Sequence, residues 1–138
     1  MTYETAIRKY FASFDGTEKE FSQMEHLFDA LYHEKFNLTF KDGKTLSRDA
    51  TKEMQATYLA KGSKIKIIHL QKIGLDCINI EFHVENEEEK LTIRSVHSIE
   101  DGKLVRAQVV DSFGSILKAK CGNGFRVNGV MARYQTNM

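Results

Sequence analysis

The chain has 138 residues and a formal net charge of +1, and 41% of its residues are hydrophobic and 28% charged. These values are ordinary for one folded globular domain, and no apolar run approaches the roughly 20 residues that a membrane-spanning helix needs. We therefore expect neither a disordered chain nor a membrane protein. The start of the sequence lacks the pattern of a secretory signal, which favours a cytoplasmic location.

The charge is distributed unevenly along the chain. All 19 acidic residues precede residue 112, whereas the residues after it include only basic charges. A basic tail can attract nucleic acid, but charges this scattered favour a solvated segment, so we expect no nucleic-acid partner. The sequence thus predicts a pocket-bearing domain at 1–112 and a C-terminal extension of unassigned role at 113–138.

The two cysteines, Cys77 and Cys121, are too few and too far apart for a disulfide framework or a zinc site. We expect Cys77 to be buried as a small hydrophobic residue and Cys121 to be a free thiol. No other residue pattern indicates a metal or a cofactor, and we expect neither.

The N-terminal part of the sequence shows two amphipathic helical patterns in succession. Apolar residues recur at helical spacing over residues 3–14, and this run ends at Asp15 and Gly16. Thr17, followed three residues later by Glu20, matches a capping box, which predicts that a second helix begins at Thr17. The short break between the two patterns predicts a helical hairpin.

The pattern then changes to that of a strand, followed by one more helix. Phe36, Leu38 and Phe40 alternate with polar residues, which predicts a short strand. Ser47 has the position of an N-cap for a third helix over residues 48–61.

The sequence pattern of residues 64–111 predicts four consecutive strands. Gly74, the acidic cluster at 85–89 and the turn at 100–102 separate the apolar, alternating runs. Strands joined by connections this short pair in antiparallel fashion. Because the helices come first in the chain, they cover one face of the sheet, which is an α+β arrangement. The open end of such a curved sheet leaves a cavity suited to a ligand.

The helix-free face of this sheet is predicted to mix apolar and arginine side chains. Such a surface suits a protein contact better than bare solvent, so we expect a homodimer formed through the sheet. The residues predicted to form this face are Ile68, Leu70, Arg94, Val96, Arg106 and Gln108.

The order of these elements resembles the nuclear-transport-factor-2-like (NTF2-like) superfamily, in its SnoaL-like branch. The segments that carry the resemblance are 6–14, 27–40, the loop at 42–44 with the helix after it, and 99–105, which is similar to a "DGKIV" hairpin. The resemblance covers about residues 3–112. It implies a cone-shaped fold, with three N-terminal helices packed on one face of a curved mixed or antiparallel sheet that encloses a pocket.

Ketosteroid isomerases belong to this superfamily and use three residues. These are a tyrosine on the first helix, a carboxylic acid on the sheet and an aspartate on the first strand. The resemblance places Tyr10 at the tyrosine position, Phe40 at the position of the aspartate and Ser95 near the second acid. Because two of the three residues differ, we do not expect steroid isomerisation by that mechanism.

SnoaL-like cyclases place an aspartate on the final strand and a histidine on the strand before it, a pattern that Asp111 and His97 match. In a hairpin that turns near 101–102, position 97 lies opposite 106–107. Asp111 is then roughly 10–15 Å along the ladder from His97. Odd-numbered positions of a strand share one face, so both side chains can face one elongated cavity.

Each candidate also has a structural interpretation. Ser95 and His97 form a polar pair on an otherwise apolar strand face, and histidine titrates near neutral pH, which suits proton transfer. The alternative is a buried histidine that bonds a backbone carbonyl. Asp111 can simply end a strand, and Tyr10 can simply pack in the core.

These residues favour a SnoaL-like protein that binds a small apolar or aromatic, carbonyl-bearing molecule. An isomerase or cyclase of this kind uses acid/base proton transfer and needs no cofactor or metal. The alternative is a non-catalytic, dimerising binding module of the same fold. In the catalytic hypothesis, Tyr10 holds an enolate and His97 or Asp111 moves the proton. The ligand-binding residues would be Phe14, Phe40, Tyr58 and Ser95.

Overall fold

The computed structural model describes residues 2–111 and 113. Its helices are α1 (Tyr3–Ala12), α2 (Glu25–Leu31) and α3 (Arg48–Ala60), with a short 3-10 helix at Phe21–Gln23 before α2. Its strands are β1 (Tyr32–Thr39), β2 (Thr45–Ser47), β3 (Lys64–Lys72), β4 (Cys77–Glu85), β5 (Lys90–Glu100) and β6 (Lys103–Val110). Within the described residues, no helix has both the length and the apolar character needed to cross a membrane.

The six strands form one mixed sheet in the order β2-β1-β6-β5-β4-β3. All neighbouring pairs are antiparallel except β1 and β6, which run parallel. The three helices pack against this curved, unclosed sheet, so the predicted α+β class is confirmed. The sheet has one strand more than the sequence pattern indicated, because the three residues of β2 are too few to show an alternation.

The helix termini follow from local capping, with one exception to the prediction. Ser47 is the N-cap of α3, and its side chain accepts a hydrogen bond of 3.1 Å from the Ala50 amide, as expected. The predicted N-cap at Thr17 is wrong, because the Thr17 hydroxyl donates to Asp15 over 2.7 Å instead. The capping box lies three residues later, where the side chains of Glu20 and Gln23 bond each other's backbone amides.

The main core lies between the helices and the concave face of the sheet. Ile7, Phe28 and Leu104 are completely buried in it. Leu70 also packs against this core, so its predicted place on the helix-free face is wrong. The register shift of β3 between Ile67 and His69 explains the difference, because a bulge reverses the alternation of faces after it.

A second, smaller apolar cluster lies outside the main core and contains Cys77, Val96 and Val110. Cys77 is 1% exposed, which agrees with its expected burial. It is also disulfide-bonded, although the number and spacing of the cysteines predicted no disulfide framework. The prediction for Cys121 lies outside the described residues, as does nearly all of the predicted extension at 113–138.

Candidate functional site

The helices and the concave face of the sheet enclose a cavity of about 220 Å³. Most of its wall is apolar and comes from α1, β1 and the strands β3 to β6. The side chains of this apolar wall include Phe11, Phe14, Phe36, Leu38, Phe40, Met54, Phe82, Ile93 and Val109. The polar groups in the lining are Tyr10, Tyr32, Thr51, Gln55, Tyr58, Ser95 and His97. Six of the seven residues proposed from the sequence therefore line one cavity.

The sheet side of the cavity is formed by residues of β1 and of the strands β3 to β6. His97 lies opposite Ile78 on β4 and Ala107 on β6, the register that the sequence predicted for the β5–β6 hairpin. Because side chains alternate across a strand, Ser95 and His97 share this face of β5. The two side chains are joined by a hydrogen bond of 2.8 Å between Ser95 Oγ and His97 Nε2.

The environment of His97 determines its charge. The ring is 5% exposed, and burial in this apolar surrounding lowers its pKa from 6.5 to about 4. Desolvation penalises the charged imidazolium, which cannot recover in the cavity the solvation that it has in water. His97 is therefore neutral at pH 7 and can accept a proton.

The helix side of the cavity carries a chain of three polar side chains. The Tyr10 hydroxyl donates a hydrogen bond to Gln55 Oε1, and Gln55 Nε2 donates to the Tyr32 hydroxyl over 3.1 Å. Burial raises the pKa of Tyr10 well above its usual range and that of Tyr32 to about 12. Both phenols are therefore protonated at any physiological pH and act as hydrogen-bonding groups rather than bases.

Two more polar residues of α3 reach the lining. Thr51 is 1% exposed, and its hydroxyl has no hydrogen-bond partner among the described residues. Tyr58 lies two turns further along α3 and is only partly buried; desolvation, followed by the charge of Glu89, raises its pKa. Thr51, Gln55 and Tyr58 are spaced as i, i+4 and i+7, so one face of α3 points polar groups at the cavity.

Asp111 does not line the cavity, which corrects the prediction that it shares the pocket with His97. β6 ends at Val110, so the alternation that would turn Asp111 inward stops one residue before it. Its side chain is 85% exposed and forms an ion pair of 2.8 Å with Lys41. The structure therefore places this carboxylate at the surface, where water and a lysine solvate it.

Three polar lining residues were missed by the sequence reasoning: Tyr32, Thr51 and Gln55. Thr51 and Gln55 could have been found, because they precede Tyr58 at helical spacing. Tyr32 gave no such signal. It lies where α2 passes directly into β1, and the predicted strand began four residues later, at Phe36.

The described residues also bring together one group of metal-ligand type, outside the cavity. His33, Glu100 and Asp101 have ligand atoms within 4.8 Å of one another. Both carboxylates are exposed, and His33 Nε2 lies 3.6 Å from Asp101 Oδ2. A surface pairing of histidine and carboxylate accounts for this arrangement.

Solved structures with the same architecture identify the fold. The chain superposes on an NTF2-like protein of unknown function from Cytophaga hutchinsonii with a TM-score of 0.61 and 9% identity, over 83% of this chain and 93% of that one. This is the NTF2-like fold. The recognition of the superfamily from the sequence is thereby confirmed at the level of fold.

Two further matches with the NTF2-like fold carry functional names. A candidate ketosteroid isomerase from Kribbella flavida matches with a TM-score of 0.61 and 14% identity, over 80% of this chain and 78% of that one. A candidate SnoaL-like polyketide cyclase from Jannaschia sp. CCS1 matches with a TM-score of 0.58 and 8% identity, over 88% and 92%. No family model and no curated protein matches the sequence. Identities this low establish the fold alone.

Proposed function

We propose that this protein binds a small, largely apolar, carbonyl-bearing molecule in its cavity and that His97 moves a proton on it. The observation that carries the proposal is a neutral, buried histidine in a largely apolar enclosure. A desolvated base next to an apolar ligand is the arrangement that proton abstraction beside a carbonyl requires.

The proposed reaction begins with transfer of a proton from the carbon next to the carbonyl to a ring nitrogen of His97. The electron pair of the broken C–H bond forms a carbon–carbon double bond, and the carbonyl oxygen becomes an oxyanion. A hydroxyl of the cavity wall stabilises that oxyanion by hydrogen bonding. The imidazolium then returns its proton to the same or a neighbouring carbon, so no redox partner is needed.

The structural neighbours support this class of ligand. Ketosteroids and polyketides are carbonyl compounds, and both words occur in the names of proteins that share the NTF2-like fold with this chain. The cavity lining also supports this class of ligand, because its many apolar and few polar groups suit a molecule with an apolar body and one or two oxygens.

Hydrogen exchange in heavy water tests the proposal. The probe is 2-tetralone, a compact bicyclic ketone with acidic α-hydrogens, and proton NMR follows the replacement of those hydrogens by deuterium. We expect the protein to accelerate exchange above the buffer rate and His97→Gln to remove the acceleration. Binding of 2-tetralone without any acceleration would contradict the catalytic part of the proposal.

A second candidate function is ligand binding without chemistry, in a dimer of two chains. The observation that favours it is the surface position of Asp111, which leaves His97 as the only described lining residue that titrates between pH 4 and pH 7. Arg94, half-exposed and paired with Glu81 at 3.0 Å, would belong to the contact with the second copy. Light scattering that returns the mass of one chain at micromolar concentration would exclude this dimer.

A further inference from the structure

We infer that the hydrogen-bond donor to the ligand's oxygen is Tyr32, held in the required orientation by Gln55, and not Tyr10. The inference rests on the proposed function and specifies its oxygen-binding group. It follows from counting the donors and acceptors in the chain of three polar side chains on the helix side of the cavity.

The hydroxyl hydrogen of Tyr10 is already committed. A tyrosine hydroxyl has one hydrogen to donate, and the carbonyl oxygen of Gln55 accepts it. An amide oxygen cannot donate, so this contact has only one direction. The Tyr10 ring also packs edge-on against those of Phe14, Phe28 and Tyr32. Its donation to a ligand would require breaking the bond to Gln55.

The hydroxyl hydrogen of Tyr32 is in the opposite situation. Because Tyr10 occupies the oxygen of the Gln55 amide, the nitrogen of that amide points to Tyr32 and donates to its hydroxyl oxygen. The Tyr32 hydrogen is then left for another acceptor, and no described residue accepts it. The residue lines the cavity and is 3% exposed. A buried donor with nothing to donate to is costly, and a ligand oxygen would remove that cost.

The same chain makes Tyr32 the stronger donor of the two. Donation by Gln55 to the hydroxyl oxygen of Tyr32 polarises its O–H bond, which is how hydrogen-bond chains reinforce one another. Stacking on Phe28, with ring centroids 4.2 Å apart, holds the Tyr32 ring in place. The result is a preoriented donor in the largely apolar wall of the cavity, as an oxyanion requires. Gln55 is a positioning residue in this scheme, because it acts through Tyr32.

Infrared spectroscopy of a bound ketone tests the assignment. The probe is 2-tetralone labelled with carbon-13 at its carbonyl, since donation of a hydrogen bond lowers the carbonyl stretching frequency. Tetralin, the same bicycle without the oxygen, is the binding control. We expect Tyr32→Phe to abolish the frequency shift and to weaken 2-tetralone binding roughly threefold to tenfold, the effect of one net hydrogen bond. Tetralin affinity should stay unchanged.

Gln55→Glu tests the positioning role without changing shape. Burial raises the pKa of a carboxyl group, so these spectra are recorded at pH 9, where the carboxylate accepts from both tyrosines and the Tyr32 hydrogen turns away from the ligand. We expect the shift to disappear although Tyr32 is intact, with cooperative unfolding and tetralin affinity retained. Tyr3→Phe, which removes a tyrosine hydroxyl that is not part of the cavity lining, should leave the shift in place.

The outcomes separate the inference from the proposed function. A shift that survives Tyr32→Phe or Gln55→Glu, or that disappears equally in Tyr3→Phe, overturns the inference. Equal binding of 2-tetralone and tetralin to the wild type with no shift also overturns it, and leaves ligand binding in the cavity standing. Failure of both probes to bind the wild type refutes the proposed function, and the inference with it.

Discussion

Lowering the pH toward 4 should destabilise this protein through His97 in particular. The ring is buried beside Ser95, and its neighbours across the ladder are Ile78 and Ala107, neither of which carries a charge. Desolvation by burial lowers its pKa to about 4. The unfolded chain exposes the same ring to water, where its pKa is about 6.5.

The size and sign of the effect follow from these two values. Between pH 6.5 and pH 4 the unfolded state binds a proton that the folded state excludes, so the free energy of unfolding falls as the pH falls. The difference of about 2.5 pKa units corresponds to about 3 kcal/mol at 1.36 kcal/mol per unit. The loss begins below pH 6.5 and is complete near pH 4. Small domains are stable by only about 5–15 kcal/mol, so the effect is large.

Urea unfolding followed by circular dichroism at pH 7, 6, 5 and 4 measures this loss. His97→Gln keeps a polar side chain beside Ser95 and does not titrate, so its stability should fall by about 3 kcal/mol less than that of the wild type over this range. His69→Gln removes an exposed histidine from β3 and serves as the matched control, which should follow the wild type. Parallel curves for the wild type and His97→Gln would refute the assignment of His97 as a buried neutral group.

Three further predictions follow from the site. Thr51→Val removes a buried, unpartnered hydroxyl and should raise the free energy of unfolding by about 1 kcal/mol in urea titrations; a decrease would show that the hydroxyl is satisfied. Asp111→Asn disrupts a surface ion pair and should change the free energy of unfolding by less than about 1 kcal/mol. The affinity for 2-tetralone, measured by calorimetry, should not change, and a loss of binding would show that Asp111 belongs to the site. Ala107→Leu fills part of the cavity opposite His97, so it should weaken 2-tetralone binding more than tenfold while unfolding stays cooperative. An unchanged affinity would show that the ligand binds elsewhere.

The features that could be predicted from the sequence are those that depend on local periodicity within one strand or helix. The strand alternation from β4 to β6 determined that Ser95 and His97 share a face and that position 97 pairs with 107, because side chains alternate strictly within a strand and a tight turn sets the register. The start of the third helix was also predictable from the local sequence, because the N-cap Ser47 bonds an amide only three residues further along the chain. The helices preceded most of the strands, which was enough to predict the fold class.

Other features depended on contacts that local sequence cannot show. The chain Tyr10–Gln55–Tyr32 joins α1, α3 and the start of β1, and its members are separated by 45 and 23 positions. Nothing near Tyr10 in the sequence says that an amide from another helix will accept its hydrogen.

The position of Asp111 shows the same limit at the other end of the sheet. The alternation of the strand predicted that the Asp111 side chain faces the cavity, but β6 ends at Val110. Lys41, from the loop after β1, instead forms an ion pair of 2.8 Å with the carboxylate. The parallel pairing of β1 with β6 brings these distant segments together. The sequence by itself determined which side chains could face a cavity, because that choice is made within one strand or one helix turn. Tertiary structure decided which of them are free to act on a ligand, because hydrogen-bond partners and solvent exposure depend on elements distant in the chain.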